Sequence, residues 1–203
     1  MPSPEWGEPS PGLLARIAHG ARALLRTEPE RRTGLRDLPL ALRRGELAEP
    51  YLAAERDRDH RRAAAAAVAA MDRAAATEEW WAADVWAHRG LWHFEQAGMA
   101  LQAARQARRI GDLRARAGDP ITARRYYAEA IDEARDLGAE HEQGIAAHGL
   151  GRALMQLGRV TEARRMASAA VDLLERAGAP DDEVAAAREL LGREVAVGET
   201  EES

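Results

Sequence analysis

The chain has 203 residues, a net charge of −5 and no Cys, which suits one domain of ordinary size and excludes disulfides, thiol catalysis and thiolate metal sites. Abundant Ala, Leu, Arg and Glu, against few β-branched or aromatic residues, predict an all-α fold. The acidic balance argues against a general nucleic-acid binder, and the chain shows neither a signal-peptide pattern at its start nor an apolar run longer than Ala63 to Met71, so a cytoplasmic protein with no membrane span is expected.

Residues 1–10, with three prolines and two acids, read as a disordered arm. Residues 11–59 read as an N-terminal helical cap. Ser10-Pro11 is a helix start, and Leu13, Leu14, Ile17, Ala18, Ala21, Leu24 and Leu25 then recur at helical spacing to about Thr27. After a linker at 28–34, a short helix is expected around 37–44. Pro50 fits the first turn of another, and Asp57-Arg58-Asp59-His60 marks a break or bend.

From residue 60 a forty-residue phase holds. Gly118-Asp119-Pro120-Ile121-Thr122-Ala123-Arg124-Arg125 recurs as Gly158-Arg159-Val160-Thr161-Glu162-Ala163-Arg164-Arg165, followed by Ala130/Ala170, Ile131/Val171, Asp132/Asp172 and Gly138/Gly178. The expected helix pairs are 60–76 with 78–97, 100–117 with 119–137, and 141–157 with 160–177, with Gly98, Gly118, Gly138, Gly158 and Gly178 as left-handed caps. A last helix runs from Asp181 or Asp182 to about Val197, its acidic start favoured by the helix dipole, and 198–203 is an acidic tail.

At Ala147, Leu150, Gly151, Leu154, Gly158, Ala163, Ala167 and Ala170 the spacing resembles the tetratricopeptide (TPR) pattern, in its longer form of about forty residues found in bacterial regulators. The resemblance covers residues 60–197 and is best over 118–178. It departs from the family at Arg114, where a large apolar residue is usual. It implies a right-handed α-solenoid of about three TPR-like helix pairs, with an N-terminal helical cap and a C-terminal capping helix. It also implies a concave groove lined by the first helix of each pair, which often binds an extended peptide.

Carried onto this chain, the groove positions are Arg105, Arg108, Asp112 and Arg116, then Ile145, His148, Arg152 and Gln156, then Arg188. Residues 101–125 hold seven Arg against two Asp, and Arg offers a planar fork for carboxylates. All 29 basic residues of the chain are Arg, however, so their abundance is also a compositional bias that a solvated face would show. Asn is absent, which disfavours the family's carboxylate-clamp subtype.

Helix 78–97 carries two apolar stripes. Trp80, Ala83, Ala87, Leu91 and Phe94 make the ordinary packing face, and Trp81, Val85, His88 and Trp92 make a second. The cover expected for the second is helix 11–26, with a homodimer, a partner protein or a small ligand as alternatives.

Catalytic signals are thin. His141 and His148 are seven apart, unlike a zinc helix. His88 and His93 are five apart, all four read as surface or half-buried, and no Ser has a nucleophile's setting. Gly149-Leu150-Gly151 follows no strand and suits close helix contact rather than phosphate binding. The expected function is therefore non-catalytic: a scaffold or adaptor that holds a partner protein or acidic peptide, with no cofactor, metal or nucleic acid. A homo-oligomerising regulatory subunit and an effector-sensing TPR-like regulator using the Trp-rich helix stand beside it.

Overall fold

The computed structural model describes residues 48–192, and the expected elements before 48 and after 192 lie outside that range. Among the described residues the chain is wholly helical: α1 (Ala48–Arg56), α2 (His60–Ala76), α3 (Trp80–Gln96), α4 (Ala100–Arg116), α5 (Pro120–Asp136), α6 (Glu140–Gln156), α7 (Val160–Arg176) and α8 (Asp181–Gly192). Each helix packs against the next, and α4 also meets α6 and α6 meets α8.

The helices from α2 to α7 are each 17 residues long, and one corner geometry joins them. At every corner one residue takes a left-handed φ: Arg58, Glu78, Gly98, Gly118, Gly138, Gly158 and Gly178. That residue's N–H returns to the carbonyl three residues back, and the next N–H returns to the carbonyl five back, as in Gly118 N to Ala115 O (3.2 Å) and Asp119 N to Arg114 O (2.8 Å). These bonds satisfy carbonyls that a helix end would leave unpaired. Asp119 then caps α5: its Oδ1 accepts from Thr122 N at 3.0 Å, and bonds from Thr122 hold its carboxyl below the ordinary value. Asp59 caps α2 in the same way.

The corner at 78 shifts the start of the second expected helix from 78 to Trp80. Glu78 (φ 59°) and Arg58 (φ 56°) do what glycine does elsewhere, at the cost of crowding their Cβ atoms. Glu78→Gly is therefore expected to stabilise the fold by about 1 kcal/mol. A raised thermal midpoint checks this, and a lowered one contradicts it.

Alanine dominates the interior, as along α2, where Ala63, Ala64, Ala67, Ala70, Ala74 and Ala75 are buried with Met71. A methyl-only face lets helix backbones come close, and a few large side chains then set the fit. Tyr51, Met71, Trp86, Ile110, Tyr127 and Leu174 fill that role. Glycine extends it, since Gly111 and Gly149 both lie against the Cδ1, Cε1 and Cζ atoms of the Tyr127 ring and Gly151 lies against Leu190. Gly149 and Gly151 are thus contact residues, as their setting in a helix implied.

Candidate functional site

Two faces emerge from this framework, and the first is built by α4, α5 and α6. Arg105, Arg108 and Asp112 follow one another along α4 at spacings of three and four, so they share a face. Arg105 Nε donates to Glu142 Oε1 at 2.6 Å, and Arg108 Nε lies 3.8 Å from Glu142 Oε2. Arg108 Nη1 also donates to Asp112 Oδ2 at 2.7 Å. The Tyr127 hydroxyl reaches the same carboxylate from α5, donating to Asp112 Oδ1 at 2.8 Å.

Gly111 of α4 and Gly149 of α6 leave room for the Cδ1, Cε1 and Cζ atoms of the Tyr127 ring. Burial, followed by the Asp112 charge, holds its hydroxyl well above the usual phenol range, while Arg152 and Arg108 pull the other way. His148 is half-buried beside this cluster. Burial and then Arg152 lower its pKa, with Asp112 and Glu189 opposing, so the neutral imidazole is favoured. Arg152 itself is exposed. Arg105 and Arg108 are thus matched by Glu142 and Asp112, Glu189 lies near His148, and Arg152 forms no ion pair among the described residues. Ile145 is half-buried on the same helix and borders a hollow shared by His148, Leu174, Asp182 and Glu183.

The remaining groove candidates lie apart. Arg116 stacks over Trp80 of α3, its Cζ 4.9 Å from the ring centroid. Arg188 pairs with Glu175 of α7, and Gln156 is exposed at the last residue of α6. Two partners in the cluster, Glu142 and Tyr127, were not among the sequence-derived candidates. The available signal for Tyr127 was the pair of glycines facing it from α4 and α6.

The second face involves α3. Its candidate stripe divides: His88 Nε2 lies 2.6 Å from the Tyr126 hydroxyl of α5, Trp92 meets His60 edge-on at 5.5 Å, Val85 is half-buried and Trp81 is 59 % exposed. The expected cover for this stripe, helix 11–26, lies outside the described residues.

A different side of α3 holds a buried polar cluster that sequence reading missed. Trp86 meets Tyr51 of α1 edge-on at 5.2 Å, and Arg89 Nη1 donates to the Tyr51 hydroxyl at 3.1 Å. Tyr51 donates in turn to Glu55 Oε1 at 3.1 Å, and burial pushes its pKa up to about 12. His93 Nε2 lies 2.9 Å from the same Glu55 oxygen and 3.1 Å from the Tyr51 hydroxyl, while His93 Nδ1 lies 2.9 Å from His60 Nδ1 of α2. Only a donor belongs against a carboxylate oxygen, so His93 carries its proton on Nε2 and accepts from His60 at Nδ1. His93 is 1 % exposed, which corrects its reading as a surface or half-buried residue. Arg89 and Glu55 already balance in charge, so a proton on His93 would leave a buried positive excess.

Among the described residues no group of three His, Asp or Glu side chains is arranged to hold a metal ion, and no helix is long and apolar enough to cross a membrane. No protein-family model matches the chain, and no curated protein matches it.

Proposed function

We propose that the protein is a non-catalytic interaction scaffold whose α4–α6 face holds an acidic, extended segment of a partner protein. On this reading the uniform helices and repeated corners form a right-handed TPR-like α-solenoid, with α2/α3, α4/α5 and α6/α7 as its pairs and α8 as its final cap. The even-numbered helices then line the concave side. The observation that carries the reading is the gathering of Arg105, Arg108 and Arg152 about Tyr127 and Asp112, the first two fixed by Glu142 and Asp112 and the third exposed, with no ion pair among the described residues. Arg105 and Arg108 are held in place by their carboxylates, which reduces the ordering cost of binding, and Arg152 is exposed to an incoming acid.

A fluorescein-labelled peptide alternating Asp, Glu and Leu tests this by fluorescence polarisation. Binding should weaken as salt rises, and Arg152→Glu should weaken it by about tenfold with helical circular dichroism unchanged. Arg164→Glu, an exposed change on α7, serves as the control. Equal affinity for Arg152→Glu and the control would remove the α4–α6 face as the binding surface.

A further inference from the structure

The forty-residue phase allows one interval of the molecule to serve as the reference for the next. Between α3 and α5 the chain fills its own space. His88 and Tyr126 meet through a 2.6 Å hydrogen bond, with ring centroids 5.6 Å apart, and Arg114 Nη2 donates to Asp84 Oδ2 at 2.8 Å. These are the contacts that make Arg114 suitable where the repeat pattern calls for an apolar residue.

Forty residues later each filling group has changed. Ala128 stands for His88, Met166 for Tyr126, Arg124 for Asp84 and Leu154 for Arg114. A methyl and a thioether replace two rings, and the acid–base pair becomes one base and one apolar side chain. A groove of about 600 Å³ results between α5 and α7, with Leu150, Leu154, Met166 and Ala128 among its lining and Ile121 exposed at its side. That volume is within the range of small-molecule sites.

Its charge is one-sided. Arg124, Arg125 and Arg165 line it, against the single carboxylate of Glu162. That carboxylate is already engaged by Arg159 through bonds of 2.6 and 2.7 Å. Arg125 rests over the Tyr126 ring, and Arg124 and Arg165 form no ion pair among the described residues. The groove therefore lacks two things that its neighbour supplies internally: an apolar or aromatic body and a carboxylate for the guanidiniums. We propose that the α5–α7 groove binds a small-molecule carboxylate with an apolar body, which lies along Leu150, Leu154 and Met166 while its acid group meets Arg124 and Arg165. Planar guanidiniums match a carboxylate with paired N–H donors, and the apolar lining rewards burial of the body.

Isothermal titration of the full chain tests this with three probes: dodecanoate, 1-naphthoate and the cation dodecyltrimethylammonium. Saturable binding at one site is expected for at least one acid and not for the cation. Dodecanoate alone would identify an acyl ligand, naphthoate alone an aryl one, and both a shared site. Ala128→His with Met166→Tyr restores the filling seen between α3 and α5, and should weaken binding by about tenfold or more. Arg124→Ala with Arg165→Ala, both outside the core, should do the same and keeps the test open if the filled variant folds poorly. The proposal is overturned if neither acid saturates, if the cation binds as tightly as the acids, or if the arginine variant binds like the parent.

Discussion

Gly149→Ala is expected to destabilise the protein by about 2 kcal/mol or more, although the same change in an unobstructed helix adds about 1 kcal/mol. A Cβ at position 149 would lie 2.4 Å from Tyr127 Cε1 and 2.8 Å from Cζ. The ring is closely approached from α4 as well, since a Cβ built on Gly111 would lie 2.9 Å from its Cδ1 and Cε1. Its hydroxyl is also tied to Asp112. Relief must come from moving the ring or from moving α6 away from α5, and either loosens the packing around Tyr127.

Urea unfolding followed by circular dichroism measures the loss. Tyr127→Leu in the same chain should recover part of it by removing the ring, which separates this clash from a general intolerance of alanine at 149. Gly144→Ala should also destabilise, because its Cβ would meet Cγ and Cδ2 of the buried Leu174 at 2.8 and 2.9 Å and Cβ of Leu173 at 3.3 Å. An unchanged midpoint for Gly149→Ala would show that the Tyr127 ring yields to a Cβ at 149 without cost. The same variant bears on function, since Tyr127 is the interior strut beneath Asp112 and Arg108.

Acidification is the second large effect expected. Burial first, then the His60 and Arg89 charges, lower the pKa of His93 from its ordinary 6.5 to about 4. The groups facing it are Tyr51 and Glu55 from α1, His60 from α2 and Arg89 on its own helix. The Glu55 carboxylate also lies against His93, and the nearby Arg89 carries the opposite charge. Since the folded pKa is depressed, the unfolded chain takes up the proton more readily between these values. The contribution of His93 is then complete above about pH 6.5 and is lost as pH falls toward 4, where the loss reaches about 3 kcal/mol.

His93→Gln removes this titration while keeping a polar side chain. The drop in unfolding free energy from neutral pH to pH 4 should be about 3 kcal/mol smaller in the variant than in the parent. Carboxylates elsewhere titrate in both proteins and cancel in that comparison. Equal drops would mean that His93 binds its proton as easily in the folded protein as in the unfolded one.

Much of the helical layout was legible in the sequence because its signals are local. Gly98, Gly118, Gly138, Gly158 and Gly178 occupy left-handed corners, and Asp119 with Pro120 starts a helix, through bonds that span no more than five residues. The corners at Arg58 and Glu78 were harder to place because neither residue favours the conformation it adopts. Charge was legible only as an inventory. Arg105 and Arg108 could be put on one helix face, but their carboxylate on Glu142 lies more than thirty residues away and belongs to another helix.

The sequence by itself determined that the described residues are helical and where most of their helices turn, because backbone preference and capping act between near neighbours. Only the tertiary structure decided which polar groups are buried and which space stays open. His88 and His93 are similar in sequence, yet one meets Tyr126 at a helix margin and the other is enclosed by Tyr51, Glu55 and His60. The same holds for the forty-residue equivalents at 88 and 128: one fills its interval and the other leaves a groove lined with arginine. Burial and charge compensation depend on side chains brought together from distant parts of the chain, so they are settled only when the helices dock.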